Sequence, residues 1–279
     1  MGIIFSYLGS SIEETYKHGC GVDTFSSIDK TVVSLIFQPP PTLKENFNRI
    51  PGRIAIRDVD SSLVVSAFII RCVLNSDKWV ILSHGNAADI YTFYDYCNYF
   101  STTYGVNVIC YDYPGYGLTR GLNFDDNIEP SEYSCCKAHT VVVNYVIDTL
   151  KVNKKNIYLM GQSLGTGVVV DYVATNDWPT PIILVSPYKS LPRVILDSFC
   201  TDSLVSKHGF KSIDKISKLN CPVKIFHGLL DPFIVVQHGI DLYDNLRDKR
   251  LSMTIIDDAD HNNIMGKIKE EDMMKVFNL

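Results

Sequence analysis

The chain has no excess of positive charge, no paired C-x-x-C and no apolar run long enough to span a bilayer. Its net charge is −5 over 279 residues, so no basic surface recommends nucleic acid as a partner. Nowhere do about 20 consecutive apolar residues occur, which excludes an ordinary transmembrane helix. The metal-binding spacing H-E-x-x-H is missing, as are the dinucleotide fingerprint G-x-G-x-x-G and the phosphate-binding loop. We therefore expect neither metal nor cofactor. No internal repeat and no low-complexity tract is visible.

The eight cysteines are scattered. Cys135 and Cys136 are adjacent, and neighbouring residues seldom form an unstrained disulfide. Free thiols in a reducing compartment are the reading, which points to the cytoplasm. The amino terminus lacks the basic n-region of a secretory signal, and Glu13 and Glu14 follow soon after its apolar start. It fits a different pattern. Met1-Gly2-Ile3-Ile4-Phe5-Ser6 matches M-G-x-x-x-[ST], which marks Gly2 as a candidate for myristoylation. One acyl chain gives marginal membrane binding. Ile3, Ile4, Phe5 and Leu8, or a lipid on Cys20, would supply a second grip at the cytoplasmic face of a membrane.

What is present is a long alternation of strand and helix signals. The apolar fraction of 46% suffices for one core. Residues 1–50 read as an appendage, with a helix through Ile28, Val32, Leu35 and Ile36 stopped by Pro39-Pro40-Pro41. The main domain is expected over 51–279. Arg53–Arg57 and Leu63–Ile70 form an antiparallel pair across a turn. Further strands are expected at Trp79–Ser83, Val106–Tyr111, Asn156–Met160, Ile182–Val185, Val223–Phe226 and Leu251–Ile256. Helices are expected at Tyr91–Thr103, Tyr133–Leu150, Thr166–Ala174, Val236–Leu246 and Ile264–Phe277. The pattern predicts an α/β fold, a mostly parallel twisted sheet of about eight strands with helices on both faces. Residues 187–218 exceed an ordinary connection and are read as a short helical covering segment.

The chemistry lies in Gly161-Gln162-Ser163-Leu164-Gly165, between a strand and a helix. By composition alone, roughly one chain of this length in ten would contain such a pattern by accident, and the plain alternative is a glycine-rich turn. The strand before and the helix after are what a sharp nucleophile turn requires. A serine hydroxyl needs a base, and the base needs an orienting carboxylate. In sheets of this kind the chain order is serine, acid, histidine, with ligands at the carboxyl ends of the strands. Asp231 follows a late strand; Asp202 is the runner-up but falls in the covering segment. Of the seven histidines, His18, His84 and His139 precede Ser163, and His208 sits in the covering segment. His227 and His238 come before the last strand. His261 remains. The neighbouring Asp257, Asp258 and Asp260 would raise its basicity if close.

An oxyanion hole needs two backbone N–H groups. Leu164, directly after the serine, supplies one. The loop Ser83-His84-Gly85-Asn86-Ala87-Ala88-Asp89 supplies the other from Asn86 or Ala87, with Asn86 the candidate and His84 a structural hydrogen-bonder. The turn Tyr111-Asp112-Tyr113-Pro114-Gly115-Tyr116-Gly117 is structural, and its aromatics would line an apolar pocket.

Taken together, these residues resemble the α/β-hydrolase superfamily, and within it the subgroup that includes membrane-associated depalmitoylases. The matching stretches are His84–Ala87, Tyr111–Tyr113 with Gly115–Gly117, Pro130–Tyr133, Gly161–Gly167, Ser186-Pro187, His227-Gly228 with Asp231, His238-Gly239 and Asp260–Asn262. The resemblance covers about residues 28–279. It implies an α/β-hydrolase fold with Ser163 as nucleophile, Asp231 as acid and His261 as base. It further implies a serine hydrolase of acyl esters or thioesters, with an S-acylated protein as one substrate class. The chain departs from the subgroup in having Cys20 where the depalmitoylases carry a cysteine cluster, and in the stretch Leu122–Glu129. The rival readings are a carboxylesterase or monoacylglycerol-lipase-like enzyme and a non-catalytic binding protein on the same fold.

Overall fold

A computed structural model of the chain describes residues 36–41, 45, 48–122, 129–195, 197–198, 202 and 209–278. The chain divides into two compact units, residues 1–38 and 39–279. Gly2, Cys20 and the helix expected through Ile28, Val32, Leu35 and Ile36, all but Ile36, lie outside the described residues, as do His208 and most of the 122–129 stretch. The sheet and the helices packed on it belong to the second unit.

In chain order the elements are β1 (Arg53–Arg57), β2 (Val64–Ile70), β3 (Trp79–Ser83), α1 (Ile90–Tyr104), β4 (Asn107–Tyr111), α2 (Thr119–Leu122), α3 (Glu132–Asn144), β5 (Ile157–Gln162), α4 (Leu164–Thr175), β6 (Ile182–Val185), α5 (Leu191–Ile195), β7 (Val223–Gly228), α6 (Gln237–Asp244), β8 (Thr254–Ile256) and α7 (Glu270–Phe277). The strands form one eight-stranded sheet in the order β1-β2-β4-β3-β5-β6-β7-β8. The β1–β2 and β2–β4 pairs are antiparallel, and every pair from β4 through β8 is parallel.

Burial on both faces explains the composition of the inner strands. β3, β4 and β6 are buried at every residue, so they read as continuous apolar runs rather than as alternations. Val80, Leu82, Val108, Cys110, Met160, Ile183, Val185 and Phe226 join Phe100, Met273, Val276 and Phe277 in one core layer. That layer holds α1 and α7. The alternate residues Ile81, Ile109, Leu159, Leu184 and Ile225 are equally buried and face the other side of the pleat. Helix α4 packs against β5 and β3 and beside α3. It has almost no polar side, in keeping with burial all round.

Local signals set the helix ends. Asp89 caps α1, accepting from Thr92 N while the Thr92 hydroxyl accepts from Asp89 N, and Gly105 closes it in the left-handed conformation. Ser131 and Ser134 form the same reciprocal box at α3.

Three expected elements differ from those found. The helix expected over Tyr133–Leu150 is α-helical to Asn144 and widens into a π-turn over Tyr145–Thr149. The last helix is divided into a 3-10 turn at Ile264–Gly266 and α7. Gly266 is a poor helix former, and Lys269 is extended at φ −70°, ψ 140° before α7 starts. The last strand is short because only Thr254–Ile256 finds partners on β7. Part of the expected covering segment 187–218 lies outside the described residues. Its described residues include α5 and two 3-10 turns, Ser212–Asp214 and Ile216–Lys218.

Candidate active site

Ser163 sits between β5 and α4 at φ 50°, ψ −117°. A non-glycine residue with positive φ outside the left-handed helical well is strained. The strain is held in place by packing. Ser163 N donates to Val185 O on the neighbouring strand, and Ser163 O accepts from Thr166 N and from the Thr166 hydroxyl. The flanking glycines follow from close approach. A Cβ at Gly161 would lie 2.4 Å from Gly165 O, and one at Gly165 would lie 2.0 Å from Ser83 O. Any side chain at either position would push α4 off the sheet.

Two loops from the far edge complete the site. Asp231 follows β7, and its Oδ1 accepts from Phe233 N (2.9 Å) and Ile234 N (2.8 Å). Its Oδ2 lies 2.6 Å from His261 Nδ1, and His261 Nε2 lies 3.0 Å from Ser163 Oγ. A carboxylate only accepts, so Nδ1 carries the proton, and in the neutral ring Nε2 is left to accept from the serine hydroxyl. Ser163 and Asp231 are buried, whereas the His261 side chain keeps 14% of its surface exposed. The imidazole is thus open to a reacting molecule while its orienting carboxylate is dry. Burial works to raise the Asp231 carboxyl, but the bond from His261, its charge and the two backbone amides outweigh it and hold the group below its ordinary value.

Of the carboxylates beside His261 in sequence, Asp258 and Asp260 are engaged elsewhere. Asp258 pairs with Lys267 at 2.8 Å. Asp260 accepts from Asn262 N and Asn263 N, which shapes the loop that carries the histidine. The runner-up acid, Asp202, is held by Arg193 and Ser190. His227 is buried and donates through Nε2 to Ile234 O (2.7 Å), so it tethers the loop bearing Asp231. Burial lowers its pKa and keeps it neutral. His238 Nδ1 accepts from Lys189 N.

The loop after β3 runs alongside the serine. A Cβ at Gly85 would meet Gln162 Oε1 at 2.4 Å and Ser163 Cβ at 3.5 Å. Asn86 therefore follows a residue packed closely against the Gln162-Ser163 turn, and Leu164 N opens α4. His84 is buried, and its Nδ1 donates to Gly85 O at 2.7 Å. Its Nε2 faces Asp112 Oδ1 at 3.8 Å and has no hydrogen-bond partner. Burial brings His84 down to about 4 and pushes the Asp112 carboxyl up to about 8.

The turn after β4 departs from expectation. Tyr111, Tyr113 and Tyr116 have no exposed surface, so they line no open pocket. Tyr113 and Tyr116 stack around His84 with ring centroids at 4.3 and 5.6 Å. The Tyr113 hydroxyl donates to His84 O, and the Tyr116 hydroxyl donates to Asn86 Oδ1, both at 2.7 Å. Sequence reasoning missed this linkage. Its one signal was the position of the turn, directly after a strand. Among the described residues no group of three or more His, Cys, Asp or Glu side chains could hold a metal ion.

A family model described as the alpha/beta hydrolase fold matches residues 78–192. A protein of Acanthamoeba polyphaga mimivirus, named for the alpha/beta hydrolases, is 38% identical over 261 residues, covering 90% of this chain and 94% of its own. Alpha/beta hydrolase domain-containing protein 17C of Xenopus tropicalis is 32% identical over 206 residues. That match takes in 72% of this chain, which spans 61% of the frog protein's length. Among solved structures, Est1E from Butyrivibrio proteoclasticus with ferulic acid bound superposes with a TM-score of 0.64 at 17% identity, over 81% of this chain and 100% of that one. The Pyrococcus furiosus esterase Pf2001 gives 0.64 at 16% identity, over 86% and 97%. At such identities the structural likeness shows the fold alone.

Proposed function

Since the chain belongs to the alpha/beta hydrolase family, we propose that it is a serine hydrolase of acyl esters or thioesters, working through Ser163, His261 and Asp231. The observation that carries the reading is the unbroken chain of hydrogen bonds from Asp231 Oδ2 through His261 to Ser163 Oγ, at 2.6 and 3.0 Å. In this reading Ser163 Oγ attacks the acyl carbonyl and His261 Nε2 takes its proton. Asp231 holds the tautomer with the proton on Nδ1 and stabilises the imidazolium. The N–H groups of Leu164 and Asn86 receive the negative oxygen. His261 then protonates the departing alcohol or thiol, and water, deprotonated by the same nitrogen, releases the acid from the serine.

The finer reading is a palmitoyl-protein thioesterase-like enzyme. Its support is the resemblance to the hydrolase subgroup of protein 17C and the Met1–Ser6 acylation pattern. Together these favour a substrate presented at a membrane's cytoplasmic face, with the enzyme held there peripherally. No helix among the described residues is long and apolar enough to cross a membrane. The rival is an esterase for small free esters.

Purified protein assayed against S-acyl peptides, glyceryl esters and p-nitrophenyl esters of graded chain length separates the two. A preference for long S-acyl chains is expected, and a preference for short-chain esters removes the thioesterase reading. Correctly folded protein that resists fluorophosphonate labelling would instead mark a binding protein. Gly2→Ala should move the protein from the membrane to the soluble fraction of cells. Wild type found wholly in the soluble fraction would end the anchor proposal.

A further inference from the structure

In the serine-hydrolase reading the second oxyanion donor is the N–H of the Gly85–Asn86 peptide, which follows the one glycine of the loop between β3 and α1. Glycine has the widest backbone freedom of any residue, so the plane of that peptide is poorly fixed by its own chain. A planar trans peptide points its C=O and N–H in opposite directions. Two side chains hold the unit from different sides. His84 Nδ1 donates to Gly85 O at 2.7 Å, which fixes the carbonyl end. Tyr116 donates to Asn86 Oδ1 at 2.7 Å, which fixes the residue bearing the N–H.

Tyr116 is suited to be a rigid strut. Its ring is fully buried and stands at 89° to Tyr113 with centroids 5.5 Å apart. Its turn is tied to the far end of the same loop, because Asp112 Oδ1 accepts from Ile90 N (2.9 Å) and Oδ2 accepts from Leu118 N (3.1 Å). The strut comes from the loop after β4 and meets the loop after the adjacent parallel strand, β3.

We propose that Tyr116 is a positioning residue that sets the Asn86 N–H for the oxyanion through the Asn86 side chain. The inference rests on the serine-hydrolase reading of the site. It gives Asn86 a second part to play: its side chain is the handle by which its backbone is aimed.

A double-mutant cycle on the full chain tests it, using a p-nitrophenyl ester as substrate. Tyr116→Phe should lower kcat about 10-fold, less than outright loss of a donor, with KM within about twofold and the melting temperature nearly unchanged. Asn86→Ala keeps the backbone N–H, removes the acceptor and should lower kcat by the same factor. The double variant should be no worse than either single one in kcat, because both remove the same Tyr116–Asn86 bond. A fall confined to KM, full wild-type kcat in Tyr116→Phe, or additive losses in the double variant would each overturn the proposal. Were Tyr116→Phe to misfold, Asn86→Ala alone decides, since it leaves the buried tyrosine in place; wild-type kcat there also overturns it. These failures leave wild-type activity intact, whereas a wild type that neither turns over esters nor takes the fluorophosphonate label removes the serine-hydrolase reading itself.

Discussion

His261 Nε2 stands 3.0 Å from Ser163 Oγ across 98 positions of chain. The serine reaches that point only by adopting φ 50°, ψ −117°. The proposed nucleophile is therefore also a strained residue. Ser163→Ala should abolish fluorophosphonate labelling and lower ester turnover by on the order of 10⁴-fold or more. Ser163→Gly should be equally inactive yet more stable than Ser163→Ala by about 1 kcal/mol, because glycine accepts the positive φ without penalty. Chemical denaturation of the two variants side by side checks the difference.

Gly165→Ala tests the close packing of the elbow. The added methyl would lie 2.0 Å from Ser83 O and 2.9 Å from His84 O, both backbone atoms that cannot swing aside. Alanine is the better helix former by about 1 kcal/mol, but overpacking costs about 1–3 kcal/mol or more. We expect a net loss of stability in denaturant titration, together with lost activity, since the loop displaced is the one that carries Asn86.

Asp231→Asn separates the carboxylate's two tasks. An amide oxygen can still accept from Phe233 N and Ile234 N, as Oδ1 now does, so the loop should keep its form. The bond to His261 Nδ1 loses its charge and invites the wrong tautomer, and kcat should fall by on the order of 10⁴-fold. The wild-type carboxyl lies below its ordinary 3.8 in the folded protein. Its contribution to stability is therefore present above pH about 3.8 and lost as pH falls through the lowered value. Acid titration of the unfolding free energy should show that the variant lacks this component.

Asp112 carries the opposite sign. Burial raises its pKa from 3.8 to about 8, so between these values the unfolded chain releases a proton that the folded chain keeps. Its contribution to stability falls as pH rises across that interval. Asp112→Asn should flatten the decline, seen as a smaller drop in unfolding free energy from pH 4 to pH 8. An unchanged slope would mean that the buried carboxyl is ionised at neutral pH. The absolute stability of the variant is expected to be lower, because Ile90 N and Leu118 N both need an acceptor, and an amide offers only one oxygen.

Much of the site is legible in the sequence, for definite reasons. Glycines at 161 and 165 flank a serine between an apolar run and a helix pattern, and close backbone approach explains both. His261 can be reached by eliminating histidines on chain order, and the fold brings it to Asp231 and Ser163. The tyrosines at 113 and 116 are misleading, because they suggest pocket lining and turn out to be core. Aromatic residues in a glycine-rich turn look alike in sequence whether they face a ligand or brace a neighbouring loop. The breaks after Asn144 and Gly266 are also hidden, since apolar spacing continues across each of them.

By itself the sequence determined the local geometry: which runs are strands, which faces of the helices are apolar, and where a serine must sit in a forced turn. These depend on residues within one or two turns of each other. Tertiary structure alone decided that β4 lies outside β3 and that β7 and β8 close the opposite edge. Strand neighbours are chosen by long-range pairing through buried crossovers, and periodicity along a strand carries no record of which strand lies beside it. That choice puts the Tyr116 hydroxyl on Asn86 and the His261 imidazole on Ser163.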